Sequence, residues 1–479
     1  MKKFILTKTI MPVLFMLIFF ITSITGCDSG VNRDFQGESK GRKWTIMVYM
    51  AADNDLEFAA MADFNEMEAV RFAGAPVTVL VLLDRSPDYE TSDGNWTDTR
   101  VYEIKTDPGG LSSAVVSARL DCPELGIKKD TETELNTSDP AVLSKFIDFS
   151  KRVYPAERYA LFIWGHGTGW RSNAINNGDA VNIGNAAGMT AWQPQSVQPQ
   201  KAFAIDDSQS GFMRLSELDR AVAGKNISVI GFDTCYAALL EIVYQIRDDA
   251  ELFVGSEGAI PSTGWDYQML LDDFLHKPDL SVSELGNSIQ YQFSRQYGGI
   301  NSASITQVSL PHVNNLFIKF NEFAGVIADT IDTKQKSDLV LSHILQNTET
   351  YHFNSFPCDL YAEIDSLCET LAAAGPEITG DQAVLNKIND AASGLDAALS
   401  AAVISSWTKN DTTNTARKLG VHIIPLYSSA VPAAEHDSEY FRGGKGTETG
   451  SFVEDSQNWA PNVIPQTSSL LDKLFYWQF

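Results

Sequence analysis

"ISVIGFDTC", from Ile227 to Cys235, decides the fold. It is an almost unbroken apolar run with no polar alternation, which describes a strand buried on both faces. Four further runs have the same character: "KWTIMVYMAADNDLE" from Lys43, "APVTVLVLLDR" from Ala75, "RYALFIWGHG" from Arg158 and "AELFVGSEG" from Ala250. "TRVYEIKTD", from Thr99, alternates instead, like a half-exposed strand. Helical spacing fills the gaps. A helix is expected from Glu57 to Phe72. "SDPAVLSKFIDFSKRVYP" opens on a Ser138/Asp139 cap with Pro140 in the first turn, and "RLSELDRAVAG" ends at Gly224. "CYAALLEIVYQIRD" reads as a helix continuing directly from Cys235. Buried strands alternating with helices imply an α/β fold, a mostly parallel sheet covered on both faces.

The second half is richer in helix. Helical spacing marks 281–297, 311–331, 335–347, 359–374 and 381–399. "ASITQVSL", "AAVISSWT" and "GVHIIPLY" read as strands. The expected organisation is an α/β core over 44–275 and a helix-rich C-terminal part over 276–479, packing on or beside it. Residues 171–204 interrupt the core with an Asn-, Gly- and Gln-rich loop, too long for a plain connection in a compact domain. "CDLYAEIDSLCETL" reads as an amphipathic helix with Leu360, Ile364, Leu367 and Leu371 toward the core.

The chain has 479 residues and a net charge of -25, from 36 basic and 61 acidic side chains. That balance excludes nucleic acid as an expected partner, because phosphate binding needs a basic surface. Residues 1–26 carry Lys2, Lys3 and Lys8, then an apolar run, and read as an export signal. "ITGC" resembles a bacterial lipobox, which implies a diacylated Cys27, a polar tether over 27–43 and a chain held on a membrane outside the cytoplasm; the alternative is an ordinary cleaved signal with a chance cysteine. The other cysteines are Cys122, Cys235, Cys358 and Cys368, in no CxxC pattern, so neither a disulfide framework nor a zinc site is expected. Cys358 and Cys368 placed on one helix would stand about 15 Å apart along its axis, beyond disulfide reach.

Two strand ends carry the chemistry. "LFIWGHG" places His166 just past one buried strand, and "VIGFDTC" places Cys235 just past another. In an open parallel sheet, sites form at the carboxyl ends of the strands. A cysteine there is either inert packing or a nucleophile served by the histidine. In the second case the N–H groups of Gly167 and Cys235 are candidate oxyanion donors. The start of the following helix would lower the thiol pKa. Asp233 is either the base of a pocket for a substrate cation or a cap for the next helix. Ser256, Glu257, Trp265 and Asp266, in "GSEGAIPSTGWDY", are candidate pocket walls, and Trp265 is equally a packing residue. Asp206 and Asp207 form either a further acidic element or a turn.

"YALFIWGHGTGW" and "GFDTCYAALLEIVYQI" resemble the clostripain-type cysteine peptidases, relatives of caspases, legumains and gingipains. "WTIMVYMAADNDLE", "GSEGAIPSTGWDY" and "LGVHIIPLY" resemble them too. The resemblance implies a caspase-like α/β/α sandwich, His166 as general acid/base, Cys235 as nucleophile, and cleavage of protein or peptide substrates after Arg or Lys. It implies that self-cleavage between the two catalytic residues can occur, with Lys201 as the candidate position. No cofactor is required by the sequence. Calcium is implied only through some members of the family, and no EF-type loop is present. The competing expectations are an inactive surface-binding lipoprotein with the same fold, and a cysteine hydrolase acting on a non-protein amide.

Overall fold

The computed structural model describes residues 41–423, except 73, 112–113, 168, 170–202, 300–302, 349, 353–359 and 410–416, together with Leu470 and Leu474. Cys27, Cys358, Lys201 and all but the last two residues of the 171–204 loop lie outside the described residues.

The apolar runs form the strands they announce. In chain order the first half comprises β1 (Trp44–Ala52), α1 (Glu57–Glu68), β2 (Val77–Arg85), β3 (Arg100–Glu103), β4 (Ala118–Arg119), α2 (Pro140–Val153) and β5 (Arg158–Trp164). Then come β6 (Phe203–Asp206), β7 (Gly211–Met213), α3 (Leu215–Val222), β8 (Ile227–Asp233), α4 (Leu240–Gln245) and β9 (Ala250–Gly255). The Asp139 carboxylate caps α2 by accepting from the Ala141 N–H at 2.8 Å, as the sequence suggests.

The second half follows with α5 (Tyr267–His276), α6 (Val282–Tyr297), β10 (Ser304–Ser309), α7 (Leu310–Thr330), α8 (Lys334–Asn347), β11 (Thr350–His352) and β12 (Leu360–Glu363). It ends with α9 (Ile364–Ala373), α10 (Gly375–Ile378), α11 (Gln382–Ala402), β13 (Val403–Thr408) and β14 (Gly420–Ile423).

Nine strands form one sheet, in the order β13-β10-β9-β8-β5-β1-β2-β3-β4. The five central strands pair in parallel, and both flanks are antiparallel. Along β1, Met47, Tyr49 and Ala51 enter one apolar core while Ile46, Val48 and Met50 enter the other. The first core takes residues from α2, α3, α4, α7, α9 and α11, and the second from α1, α5 and α6. This is an α/β/α sandwich. The C-terminal half is not a detached body: β10 and β13 extend the same sheet.

Three expectations are corrected. "CYAALLEIVYQIRD" is not helical from Cys235, because α4 begins at Leu240. Residues 236–238 instead lie against 256–258, with the Tyr236 N–H bonded to the Gly258 carbonyl and those of Ala237 and Ala238 to the Ser256 carbonyl. The helix expected over 359–374 starts at Ile364. Leu360 lies in β12, which pairs with β11 and β14 in a small second sheet. The one-helix argument about Cys358 and Cys368 falls with it, and Cys368 is a free, buried thiol. Helix α5 escapes the sequence reading altogether.

Candidate active site

Strand register builds the site. β5 and β8 are parallel neighbours with Trp164 opposite Asp233. His166 and Cys235 each lie two residues beyond that pair, at the carboxyl edge of the sheet. Gly165, at φ +135°, turns the chain where an added Cβ would come to 3.0 Å from the Ala51 carbonyl oxygen. Gly167 is tighter still, since a Cβ there would fall 2.3 Å from the Cys235 carbonyl oxygen and 2.7 Å from Thr234 Oγ1. The two strand ends therefore touch through backbone.

His166 has a partner that the sequence reading missed. Its Nε2 lies 2.7 Å from Asp55 Oδ1. Asp55 belongs to the Asp53-Asn54-Asp55 turn after β1, and Asn54 fixes that turn by donating to the Ala51 and Ile205 carbonyls at 2.9 Å each. A proton on Nε2 shared with Asp55 leaves Nδ1 as the ring's acceptor. The signal in the sequence was an acid at the carboxyl end of the neighbouring strand, in "AADNDLE".

Cys235 is partly buried. Its sulfur receives the Ile260 N–H at 3.4 Å and lies 3.8 Å from the Ile260 carbonyl oxygen. Burial pushes the thiol up to about 11. This reverses the expectation of a helix start lowering it, because that helix begins five residues later. The thiol is neutral in this arrangement.

Asp233 caps no helix. It is 3% exposed, and its Oδ2 accepts from the Trp265 N–H at 3.0 Å. Burial, with Glu66 nearby, raises it to about 7. Asp63 shares the space: an added Cβ on Gly264 would come to 2.7 Å from Asp233 Oδ2 and 3.0 Å from Asp63 Oδ2. Asp63 accepts from Trp164 Nε1 at 2.7 Å, and Glu66 accepts from the Tyr267 N–H at 2.9 Å. Burial and the neighbouring Asp266 bring Glu66 to about 7 as well. Asp63 and Glu66, both on α1, also escaped the sequence reading. Their signal was acids on a helix face that otherwise packs Ala59, Ala60, Phe64 and Met67.

The remaining candidates separate. Asp266 caps α5 by accepting from the Met269 N–H at 2.9 Å, beside this acidic group. Trp265 packs its ring edge-on to Phe162, 5.3 Å between centroids, and contributes its backbone N–H to Asp233. Ser256 is buried, with Oγ 3.3 Å from Ser304 Oγ, and Glu257 is buried beside it in sequence. Asp206 and Asp207 join the Asp53 turn, where the Asp207 N–H donates to the Asp53 carbonyl at 2.8 Å.

The model of the Clostripain family, Peptidase_C11, matches residues 48–185 and 187–427. Clostripain from Hathewaya histolytica is 26% identical over 251 residues, 49% of this chain and 43% of that protein, so the chain spans less than half the length of this curated relative. A secreted C11 cysteine protease from Bacteroides thetaiotaomicron, solved with an irreversible peptide inhibitor, aligns at a TM-score of 0.52 and 18% identity. The match covers 85% of this chain and 98% of that one. An inactive zymogen C11 protease from Parabacteroides distasonis aligns at 0.51 and 17% identity, over 80% of this chain and 92% of that one. These structures share the fold, and the family match spans most of the sequence, both strand ends included: the chain belongs to the Clostripain family of cysteine peptidases.

Proposed function

We propose that the chain is a cysteine endopeptidase that cuts after Arg or Lys, with His166 and Cys235 as its dyad. The observation that carries this reading is the β5–β8 register, which brings the strand ends bearing His166 and Cys235 to one sheet edge, with the buried Asp233 near the thiol. Cys235 gives its proton to His166 Nδ1, and the sulfur attacks the substrate carbonyl. The N–H groups of Gly167 and Cys235 face the oxyanion that forms. The imidazolium then protonates the leaving amine, and water hydrolyses the thioester with His166 as base. Asp55 is a positioning residue that holds the ring through Nε2.

Asp233 supplies the charge for a guanidinium or ammonium, supported by Asp63, Glu66 and Asp266. A cation entering there restores the charge balance that burial disturbs, which is why an acidic cluster favours Arg or Lys over an apolar side chain. The neutral, covered Cys235 suits a precursor, and self-cleavage after Lys201 belongs to the same proposal, as does anchoring through a lipid at Cys27. N-terminal sequencing and mass spectrometry of the purified protein check those two points.

Fluorogenic peptides matched except for Arg, Lys, Asp or Ala at the cleaved position test the reading. Thiol-dependent cleavage confined to Arg or Lys and absent in Cys235→Ala supports it. Cleavage after Asp or Ala alone overturns the role of Asp233. Absence of cleavage by folded, nicked protein favours a binding lipoprotein.

A further inference from the structure

Cys235 is followed by a residue in a backbone conformation that its own side chain disfavours. Tyr236 has φ +53°, in the left-handed region, which a bulky residue keeps only when its surroundings hold it there. Its N–H bonds to the Gly258 carbonyl at 3.0 Å. Its ring is buried and stacks on the ring of Tyr361, with centroids 5.9 Å apart and planes at 25°.

Tyr361 comes from a distant part of the chain. It lies in β12, opposite His422 of β14, in the small second sheet. That sheet docks on the cysteine loop through backbone. The Gly420 N–H donates to the Ala238 carbonyl at 3.0 Å, and Gly420 forms a β-bridge with Leu239. An added Cβ on Gly420 would come to 2.8 Å from Leu239 Cδ2, so the two backbones meet closely. Tyr361 also reaches the histidine loop. Gly169, three residues past His166, has φ +76°, and a Cβ there would fall 2.7 Å from the Tyr361 hydroxyl oxygen and 3.1 Å from Leu239 Cδ1. One buried side chain therefore abuts the loop after β5 and the loop after β8 together.

We propose that Tyr361 is a positioning residue, which holds the His166 loop and the Cys235 loop at the spacing that proton transfer between them needs. It acts through Tyr236 and Gly169. Transfer from thiol to imidazole requires hydrogen-bond reach, and a misplacement of about 1 Å costs about 100-fold in rate. Without the stacked ring, Tyr236 relaxes toward negative φ, and Cys235 shifts from the Ile260 N–H that meets its sulfur at 3.4 Å. The acidic pocket lies on the other face of the sheet: Tyr236 and Tyr361 belong to one apolar core, and Trp265 and Tyr267 beside Asp233 belong to the other. Loss of Tyr361 therefore acts on turnover and leaves capture of the cation alone. The catalytic consequence rests on the reading of His166 and Cys235 as the dyad, whereas the hold on the Cys235 loop does not.

The test compares the full chain with Tyr361→Phe, Tyr361→Leu, Tyr236→Ala and the double variant Tyr236→Ala/Tyr361→Leu, each below its own melting transition. The first readout is labelling of Cys235 by iodoacetamide at about pH 8, followed by mass spectrometry, and it is independent of peptidase activity. The second is kcat and KM on the Arg peptide. Tyr361→Leu should speed labelling about fivefold or more and lower kcat about 30- to 100-fold with KM retained. Tyr361→Phe keeps the stacked ring and should match the parent in both readouts, a rescue that a general loss of stability would not give. The double variant should be no worse than the more affected single one, because both substitutions remove the same contact. If Tyr361→Leu does not fold, Tyr236→Ala breaks the stack from the other side and carries the same expectation. Parental labelling and kcat in Tyr361→Leu, equal losses in Tyr361→Phe and Tyr361→Leu, or losses that multiply in the double variant overturn the proposal. A parent that cleaves no peptide sinks the peptidase reading, and the labelling rates then decide this one.

Discussion

Two acidic groups at one sheet edge behave differently. Asp233 shares strand parity with Val229 and lies in the core beside α1, α5 and α6, under Trp265. Asp84 shares parity with Leu80 and Leu82 and lies on the opposite face. Asp233 and Asp84 are both buried, and both are raised above the usual carboxylate range, chiefly by desolvation. The difference lies in their surroundings. The segment over Asp233 is the one that covers Cys235, with Ile260 on the sulfur and Gly264 against the carboxylates. Asp53, Asp84 and Asp206 are enclosed by Thr99, Thr137 and the turn after β6. One group thus adjoins Cys235, and the other gathers where strand ends converge on the opposite face.

Removing the proposed dyad sets the floor for any comparison. Cys235→Ala or His166→Ala should lower kcat/KM by about 10⁴-fold or more while leaving the melting curve near that of the parent. Asp233→Asn should come next. It should cost about 30- to 1000-fold in kcat/KM on Arg peptides and little on matched uncharged peptides, because a buried charge pair is lost. Asp84→Asn should change both peptides equally. Equal losses in the two variants would erase the distinction between the regions.

Asp55 stands between them, and Asp55→Asn should reduce kcat by about 10- to 100-fold with KM retained, as expected of a group that only orients the base. The acidic pocket should also answer to pH. A carboxyl raised to about 7 is protonated below that value, so KM for Arg peptides should worsen as pH falls from 8 to 6. KM for uncharged peptides should stay flat over the same range. The smallest effect concerns the thiol. With its pKa near 11, iodoacetamide should label Cys235 slowly at pH 7, and the rate should climb steadily up to pH 10 in the uncleaved chain.

Much of this was legible in the residues. Unbroken apolar runs have one good use, the middle of a covered sheet, so β1, β2, β5, β8 and β9 were announced by "WTIMVYMAA", "VTVLVLLDR" and their counterparts. His166 and Cys235 stood out because a glycine-flanked histidine and an acid-preceded cysteine at strand ends have a chemical meaning, and the β5–β8 register brings those two strand ends to one sheet edge. Asp55, Asp63 and Glu66 were not, because nothing local separates them from solvated acids. Asp63 and Glu66 acquire meaning only when α1 packs against α5 and brings them near Asp233 and Asp266, and Asp55 only when β1 lies beside β5.

The sequence by itself determined the layer architecture and the strand identities, since periodicity is a local property, and it pointed to His166 and Cys235 through their residue chemistry. Tertiary structure decided which acids meet, that residues 236–238 pair with 256–258 instead of entering a helix, and that the thiol is covered by Ile260. Those outcomes depend on strand order and register, which bring together residues as far apart as Asp53 and Asp206. A local pattern cannot encode the burial and mutual charge that give them their chemistry.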